Sequence, residues 1–268
     1  MVAEMRVIQI MTPEVITVDK DVPLAEAIER LRRHEISRLV VLDEGKIVGI
    51  ITEKDIAREL GSASAYRLPP GRIHVSSAMT ANPITVAPDV MAKRAAEIML
   101  DHDVSGLPVI AEDKLVGIVT KTDFAKVCST CDDIFAGQVM QARPITVSPG
   151  DRVIHARKLL LEEDLIGLPV VEGGELVGIV TIRDIAMRLA AFQEVVPDRY
   201  KSERIRNLIV EDIMAQPAVS TRTDAKLSEV ARTMLEKRFS SLPVLNLEGE
   251  LVGLITNTEL TEVARERL

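Results

Sequence analysis

The sequence predicts an α/β chain of four repeated β-α-β-β-α units, and three observations carry that prediction. The first is a buried-strand pattern written four times: KIVGIITEKDI at 46–56, LVGIVTKTDF at 115–124, ELVGIVTIRDI at 175–185 and ELVGLITNTEL at 250–260. Each is an apolar run with one glycine, then a threonine, then an acid three positions on. The second is spacing. Met11 to Gly49, Met79 to Gly117 and Met140 to Gly178 share one separation, and Met214 to Gly253 is a single position longer. The third is composition: 47% of the 268 residues are hydrophobic, enough for a sizeable core in a globular chain.

The repeats place units at 9–60, 77–127, 138–189 and 212–263. The intervals between Met11, Met79, Met140 and Met214 are unequal. A uniform solenoid would keep one period, so the uneven intervals favour pairing, with one module at 1–127 and a second at 138–268. Within a unit, a short strand (VITV, PITV, PITV or PAVS) comes first. A turn at Asp21, Asp89, Gly150 or Asp224 leads to a helix with apolar residues at i, i+4 and i+7. Leu24, Ile28 and Leu31 fill those positions in unit one, and Leu227, Ala231 and Met234 in unit four. Two apolar runs split by an acidic or glycine-containing turn then read as a hairpin of largely buried strands. A closing helix starts at the Thr-x-x-Asp.

Composition also excludes. A formal charge of −8 argues against a general binder of nucleic acid or anionic membrane. Every apolar run is too short to span a bilayer, and the start MVAEMRVIQIMTPEV lacks the apolar core of a signal peptide, so a cytoplasmic location is expected. Aromatic residues make up 2%, so a flat ligand would lie against aliphatic side chains and backbone.

Thr52, Thr120, Thr181 and Thr256 suit helix N-caps, with Asp55, Asp123, Asp184 and Glu259 reaching back to the cap backbone. Capping accepts Glu as readily as Asp. Three Asp in four leaves room for a second role that needs an acid of fixed reach, and the residues alone leave both readings open.

The stretch PITVAPD…DHDVSGLPVI…DKLVGIVTKTDF and its three counterparts resemble cystathionine-β-synthase (CBS) domains over nearly the whole chain outside the linkers. The resemblance implies two Bateman modules, each a pair of β-α-β-β-α units with two clefts, and a disc-like arrangement of four potential sites. It is similar in layout to the γ subunits of AMP-activated protein kinase. The clefts of that family hold adenosine compounds: AMP, ADP, ATP or, in some members, S-adenosylmethionine.

Carried over by position, the resemblance implies ribose acceptors at Asp55, Asp123 and Asp184, whose two oxygens suit a vicinal diol. Thr52, Thr120 and Thr181 would face ribose or phosphate. The base would lie against Ile16 and Thr17, Ile84 and Thr85, or Ile145 and Thr146. The start of the next strand would contribute Ser37 and Arg38, Ser105 and Gly106, or Ile166 and Gly167. Helix N-termini would face the phosphate. Candidate phosphate cations are Lys54, Lys121, Arg183, His34 and His102, with Arg38 also placed to crowd the first cleft. Each single basic residue is equally a solvated helix surface. Unit three, acidic at LEEDL, should hold polyphosphate least well. In unit four, Glu259 is one methylene longer and would have to fold back, so Thr256 and Glu259 mark a weak site. Two or three working clefts are expected.

Residues 61–76 read as a loop within the first module. Residues 190–211 read as a solvated or partly helical linker, with Arg199, Lys201, Arg204 and Arg206 alternatively contacting a partner. Cys128 and Cys131 form a single C-x-x-C: reduced thiols, a redox pair or half of a metal site shared between chains. No metal of the chain's own and no catalytic constellation is expected. The expected protein is a non-enzymatic sensor, a homodimer through its modules with an unidentified protein partner. An S-adenosylmethionine sensor and a structural module with degenerate clefts are the alternatives.

Overall fold

The computed structural model describes residues 5–61, 69–196, 200–201 and 204–268. Its mixed α/β architecture repeats one grammar four times. Unit one runs β1 (Thr17–Asp19), α1 (Leu24–His34), β2 (Arg38–Asp43), β3 (Lys46–Thr52) and α2 (Glu53–Leu60). Unit two has α3 (Ala92–Asp101), β5 (Gly106–Ala111), β6 (Lys114–Thr120) and α4 (Lys121–Cys128), preceded by β4 (Thr80–Ala81). Unit three follows β7 (Gln141–Ala142) with α5 (Val153–Glu162), β8 (Gly167–Glu172), β9 (Glu175–Thr181) and α6 (Ile182–Val195). Unit four comprises β10 (Thr221–Arg222), α7 (Leu227–Lys237), β11 (Ser241–Leu245), β12 (Leu251–Thr256) and α8 (Asn257–Arg267).

The hairpins form because their turns accept left-handed backbone. Glu44–Gly45, Glu112–Asp113 and Gly173–Gly174 all have positive φ, the geometry that matches a two-residue turn to strand twist. The helices form because their apolar stripes are buried: Leu24, Ala27 and Leu31 on α1, and Leu227, Ala231 and Met234 on α7, are each at most 1% exposed.

The expected first strand is corrected in three units. Only unit one has three residues paired in parallel, Thr17–Asp19 against Val40–Leu42. Units two and three make single bridges, Val86 to Val109 and Val147 to Val170. Unit four pairs Thr221 and Arg222, beyond the PAVS stretch. Unit one has Val40 where the others have Pro108, Pro169 and Pro243. Proline has no N–H to donate, so the parallel ladder is truncated there.

Sheets are completed by exchange. In the first sheet the order is β1-β2-β3-β4, and β4 belongs to the segment entering unit two. In the other half-pair, Thr12 bridges Ile118 of β6. Likewise β7, ahead of unit three, pairs with β12 of unit four, and Ala215 bridges Ile179 of β9. Units one and two, and units three and four, thus trade their leading segments.

The apolar cores run across this division. One joins units one and three, from Val18, Leu31 and Ile56 to Leu168, Ile185 and Leu189. The other joins units two and four, from Met99, Leu107 and Phe124 to Met234, Ile255 and Leu260. Each unit is therefore fixed by strand exchange to its module mate and by helix packing to a unit of the other module.

The linkers differ from expectation in part. Residues 62–68 lie outside the described residues, but Pro70–Arg72 form a 3-10 turn and Val75–Ala78 a helical turn. Helix α6 continues to Val195, in line with a partly helical 190–211. Lys201 is 2% exposed, so it is not a solvated linker cation, while Arg204 stacks 5.6 Å above the Tyr200 ring. Arg199 and the Arg206 side chain lie outside the described residues. Among the described residues, no helix is long and apolar enough to cross a membrane.

Candidate functional site

Strand register brings two parts of each candidate cleft together, the start of the second strand and the threonine signature. The second strand and the third pair so that Arg38 faces Thr52, Gly106 faces Thr120, Gly167 faces Thr181 and Ser241 faces Thr256. The residue after each threonine then donates its N–H to the carbonyl ahead of that strand. These bonds run from Glu53 to Ser37, Lys121 to Ser105, Ile182 to Ile166 and Asn257 to Ser240, at 3.0–3.2 Å. The first strand lies on the other side of the second. Beside it Val15, Ile16 and Thr17 line an open hollow of about 550 Å³ with Glu26, Glu29, Arg30, Arg33 and His34. Thr52 and Asp55 are not among the residues lining that hollow.

All four signatures cap their helices. Asp55 Oδ2 accepts from Thr52 N at 2.9 Å and from its hydroxyl at 2.6 Å. Asp123 repeats this with Thr120 at 2.8 and 2.9 Å, and Asp184 with Thr181 at 2.8 and 2.6 Å. The second oxygens of Asp55 and Asp123 take surface cations, Arg58 and Lys126, each at 2.9 Å. Burial pushes the Asp184 carboxyl upward from its ordinary range. In unit four Glu259 folds back as a cap to Thr256, at 2.7 Å to both its backbone and hydroxyl. Its other oxygen accepts from Gln141 at 2.6 Å, a contact that the Gln141 strand brings from unit three's leading segment.

The expected phosphate cations are placed unevenly. Lys54 pairs with Asp164 of unit three, and Arg183 Nε lies 2.8 Å from Glu53 Oε1 of unit one. Lys121, 6% exposed, donates to Thr258 of unit four at 3.1 Å. Burial lowers the pKa of both lysines, while Asp103 opposes that. His34 and His102 are exposed at the ends of their helices. The Arg38 guanidinium leans across the module onto Gly106, where an added Cβ would lie 2.6 Å from Nη1. That Nη1 is buried without a hydrogen bond, and burial lowers the arginine's pKa against the pull of Glu53 and Asp123.

The candidate base-holding residues Ile84, Thr85, Ile145 and Thr146 are exposed, whereas Ile16 and Thr17 are half-buried. Ser105 and Ile166 are half-buried as well, and Gly167 is buried. Sequence reasoning passed over Arg30, which donates to the Thr17 carbonyl. Arg30 stands where units two and three have Ile98 and Leu159, a mismatch that comparison of the repeats reveals. It also passed over Glu53, Asp103 and Gln141. Cys128 and Cys131 are free and buried, and burial pushes the Cys128 thiol up to about 12.

The repeats, the exchanged strands and the capped signatures together define a four-repeat CBS architecture. The CBS domain model matches residues 7–62, 75–130, 136–191 and 210–266, so the chain belongs to the CBS domain family. It is 27% identical over 267 residues to the uncharacterized protein MJ1225 of Methanocaldococcus jannaschii, covering 92% of this chain and 94% of that one. The crystal structure of MJ1225, described as a candidate archaeal homologue of γ-AMPK, superposes with a TM-score of 0.83 over 96% of this chain and 99% of that one, at 24% identity. A conserved, uncharacterized protein from Pyrococcus horikoshii gives a TM-score of 0.65 at 26% identity, covering 97% and 100% of the two chains. Inosine-5′-monophosphate dehydrogenase of Korarchaeum cryptofilum is 43% identical over 108 residues, which are 39% of this chain and 22% of that enzyme.

Proposed function

We propose that this chain is a non-catalytic sensor that binds adenine nucleotides (AMP, ADP or ATP) in the clefts of units one to three and passes occupancy to a partner or a second copy. One observation supports this most directly. In those units a short carboxylate is fixed by its own cap beside the start of the second strand, and in units one and two its other oxygen is met by an exposed cation, Arg58 or Lys126. A carboxylate has lone-pair sites beyond those bonds, enough to accept a ribose diol. In unit four the longer Glu259 bonds Thr256 and, in place of a surface cation, Gln141 from unit three's leading segment, which supports a weak or empty fourth cleft. The chain matches only a small share of the dehydrogenase, so no activity is taken from it. A cytoplasmic setting and a homodimer through the modules belong to the same proposal.

Calorimetric titration with AMP, ADP, ATP and S-adenosylmethionine tests it. The expected result is two or three nucleotide sites, with Asp123→Ala weakening one of them ten- to a hundredfold, the loss of about 1.5–3 kcal/mol. Tight binding of S-adenosylmethionine alone would replace the nucleotide reading. Affinity and stoichiometry untouched by Asp123→Ala would leave Asp123 as a cap only.

A further inference from the structure

Between the two modules, the residues inside each Thr-x-x-acid meet those of the unit opposite. Units two and four do this without an ion pair: Lys121 donates to the Thr258 hydroxyl and Asn257 to the Thr122 hydroxyl, both at 3.1 Å. Units one and three use charge, with Glu53 against Arg183 and Lys54 against Asp164. Glu53 is the one acid at its position, which Lys121, Ile182 and Asn257 fill elsewhere. The contact between modules does not itself need an acid there.

Glu53 is also poorly satisfied. It is 5% exposed, and the Arg183 N–H is not aimed at Oε1, which has no hydrogen bond. Burying a carboxylate costs several kcal/mol unless it is well paired. The groups acting on it are Arg183 and Asp184 from α6 and Arg38 from the start of β2. Lys54 and Asp164 pair one residue along, and Arg157 of α5 donates to the carbonyls of Ala57 and Arg58. Two arginines thus converge on Glu53, one of them adjoining the Asp184 carboxylate.

We propose that Glu53 is a built-in anion that occupies Arg183 in the empty protein and is displaced when a phosphate-bearing ligand enters the cleft of unit three. The proposal rests on the reading that this cleft takes an adenosine compound. As the phosphate draws Arg183 away, Glu53 is left buried with Arg38 alone opposing the penalty, and the fraction of it still ionised takes up a proton from solvent. Burial already lifts this carboxyl to about 7, so the uptake is partial at pH 7 and larger just above it. Phosphate binding in unit three is then coupled to the cleft signature of unit one, and it strengthens as pH falls.

The experiment is calorimetric titration of the full chain with AMP and with adenosine at pH 7.0 and 8.5, in two buffers of different ionisation heat. The unit-three event is the one that Asp184→Ala removes. In the native protein, AMP should bind this site more tightly at the lower pH with proton uptake, and adenosine should show neither effect. Glu53→Gln, close in shape, should tighten AMP on the order of tenfold and abolish both the uptake and the pH dependence, leaving adenosine unchanged. Arg183→Ala should erase the advantage of AMP over adenosine. Unchanged or weaker AMP binding in Glu53→Gln, or a pH dependence that survives it, overturns the proposal while leaving the adenosine reading intact. An Asp184→Ala variant that loses no event overturns both.

Discussion

The sulfur of Met11 rests on Gly117, in the other unit of its module. A Cβ built at Gly117 would lie 2.5 Å from Met11 Sδ and 3.1 Å from the Thr12 carbonyl oxygen. The same relationship recurs for Met79 on Gly49 and Met214 on Gly178, with Sδ distances of 2.5 and 2.8 Å, and for Met140 on Gly253. In each case the methionine comes from the module mate.

Gly117→Ala is therefore expected to destabilise the protein by about 1–3 kcal/mol, the range for overpacking a filled site. Met11→Ala should cost about 2–5 kcal/mol through the opposite defect, a cavity. The two should be markedly non-additive, since the alanine methyl of the first partly fills the space vacated by the second. Urea midpoints of the two single variants and the double variant check this.

Gln141→Ala should destabilise by about 1 kcal/mol by leaving the buried Glu259 with one oxygen unpaired. Its effect should appear in thermal melting and not in the number of nucleotides bound, because Gln141 serves the cleft proposed to be weak. A gain of nucleotide binding in this variant would show that Gln141 is what closes the fourth cleft.

The repeat grammar was legible because four copies report the same period, and the helix caps because Thr-x-x-acid has a local cause. The exchange of leading segments was not legible. The fixed separation of Met11 from Gly49, repeated at Met79 and Gly117, suggests a contact within one unit, whereas Met11 meets Gly117 and Met79 meets Gly49. A spacing shared by the repeats is the same for both arrangements, so it cannot tell one from the other. The first strands were overestimated because apolar, β-branched residues signal a strand but say nothing of a partner's missing N–H, as at Pro108. Of the candidate site, the signature acids cap their helices beside the start of the second strand, a local relationship that the Thr-x-x-acid spacing encodes. The cations did not stand free, since Lys54, Lys121 and Arg183 face other units, which local sequence does not encode.

Stability should depend on pH through Glu53. Its folded-state pKa of about 7 lies above the ordinary carboxylate value, so the folded protein holds a proton that the unfolded chain has released. That contribution is present below the unfolded value, near pH 4.3, and is lost as pH rises towards 7. Asp184, also raised by burial, acts in the same direction. Urea midpoints at pH 5.5 and 7.5 should show the native protein weaker at the higher value. Glu53→Gln should flatten most of that slope, and an unchanged slope would rule out this assignment.

Cys128 should resist thiol reagents at pH 8 in the folded protein, being fully buried and raised to about 12. Its sulfur donates to the Leu260 carbonyl of unit four at 3.1 Å. Alkylation monitored by mass spectrometry should therefore follow the unfolding transition in urea. Rapid modification of Cys128 without denaturant would show that α4 and α8 separate readily.

Strand exchange has a consequence for how such a chain can be cut. A fragment ending at residue 61 would carry the Met11 plug with no Gly117 to receive it, and an open groove at Gly49 with no Met79. Two such fragments are complementary to each other, so an isolated repeat is expected to associate with its own twin. The smallest piece with every plug and groove matched is then a couple, and growth of the chain by doubling preserves that match.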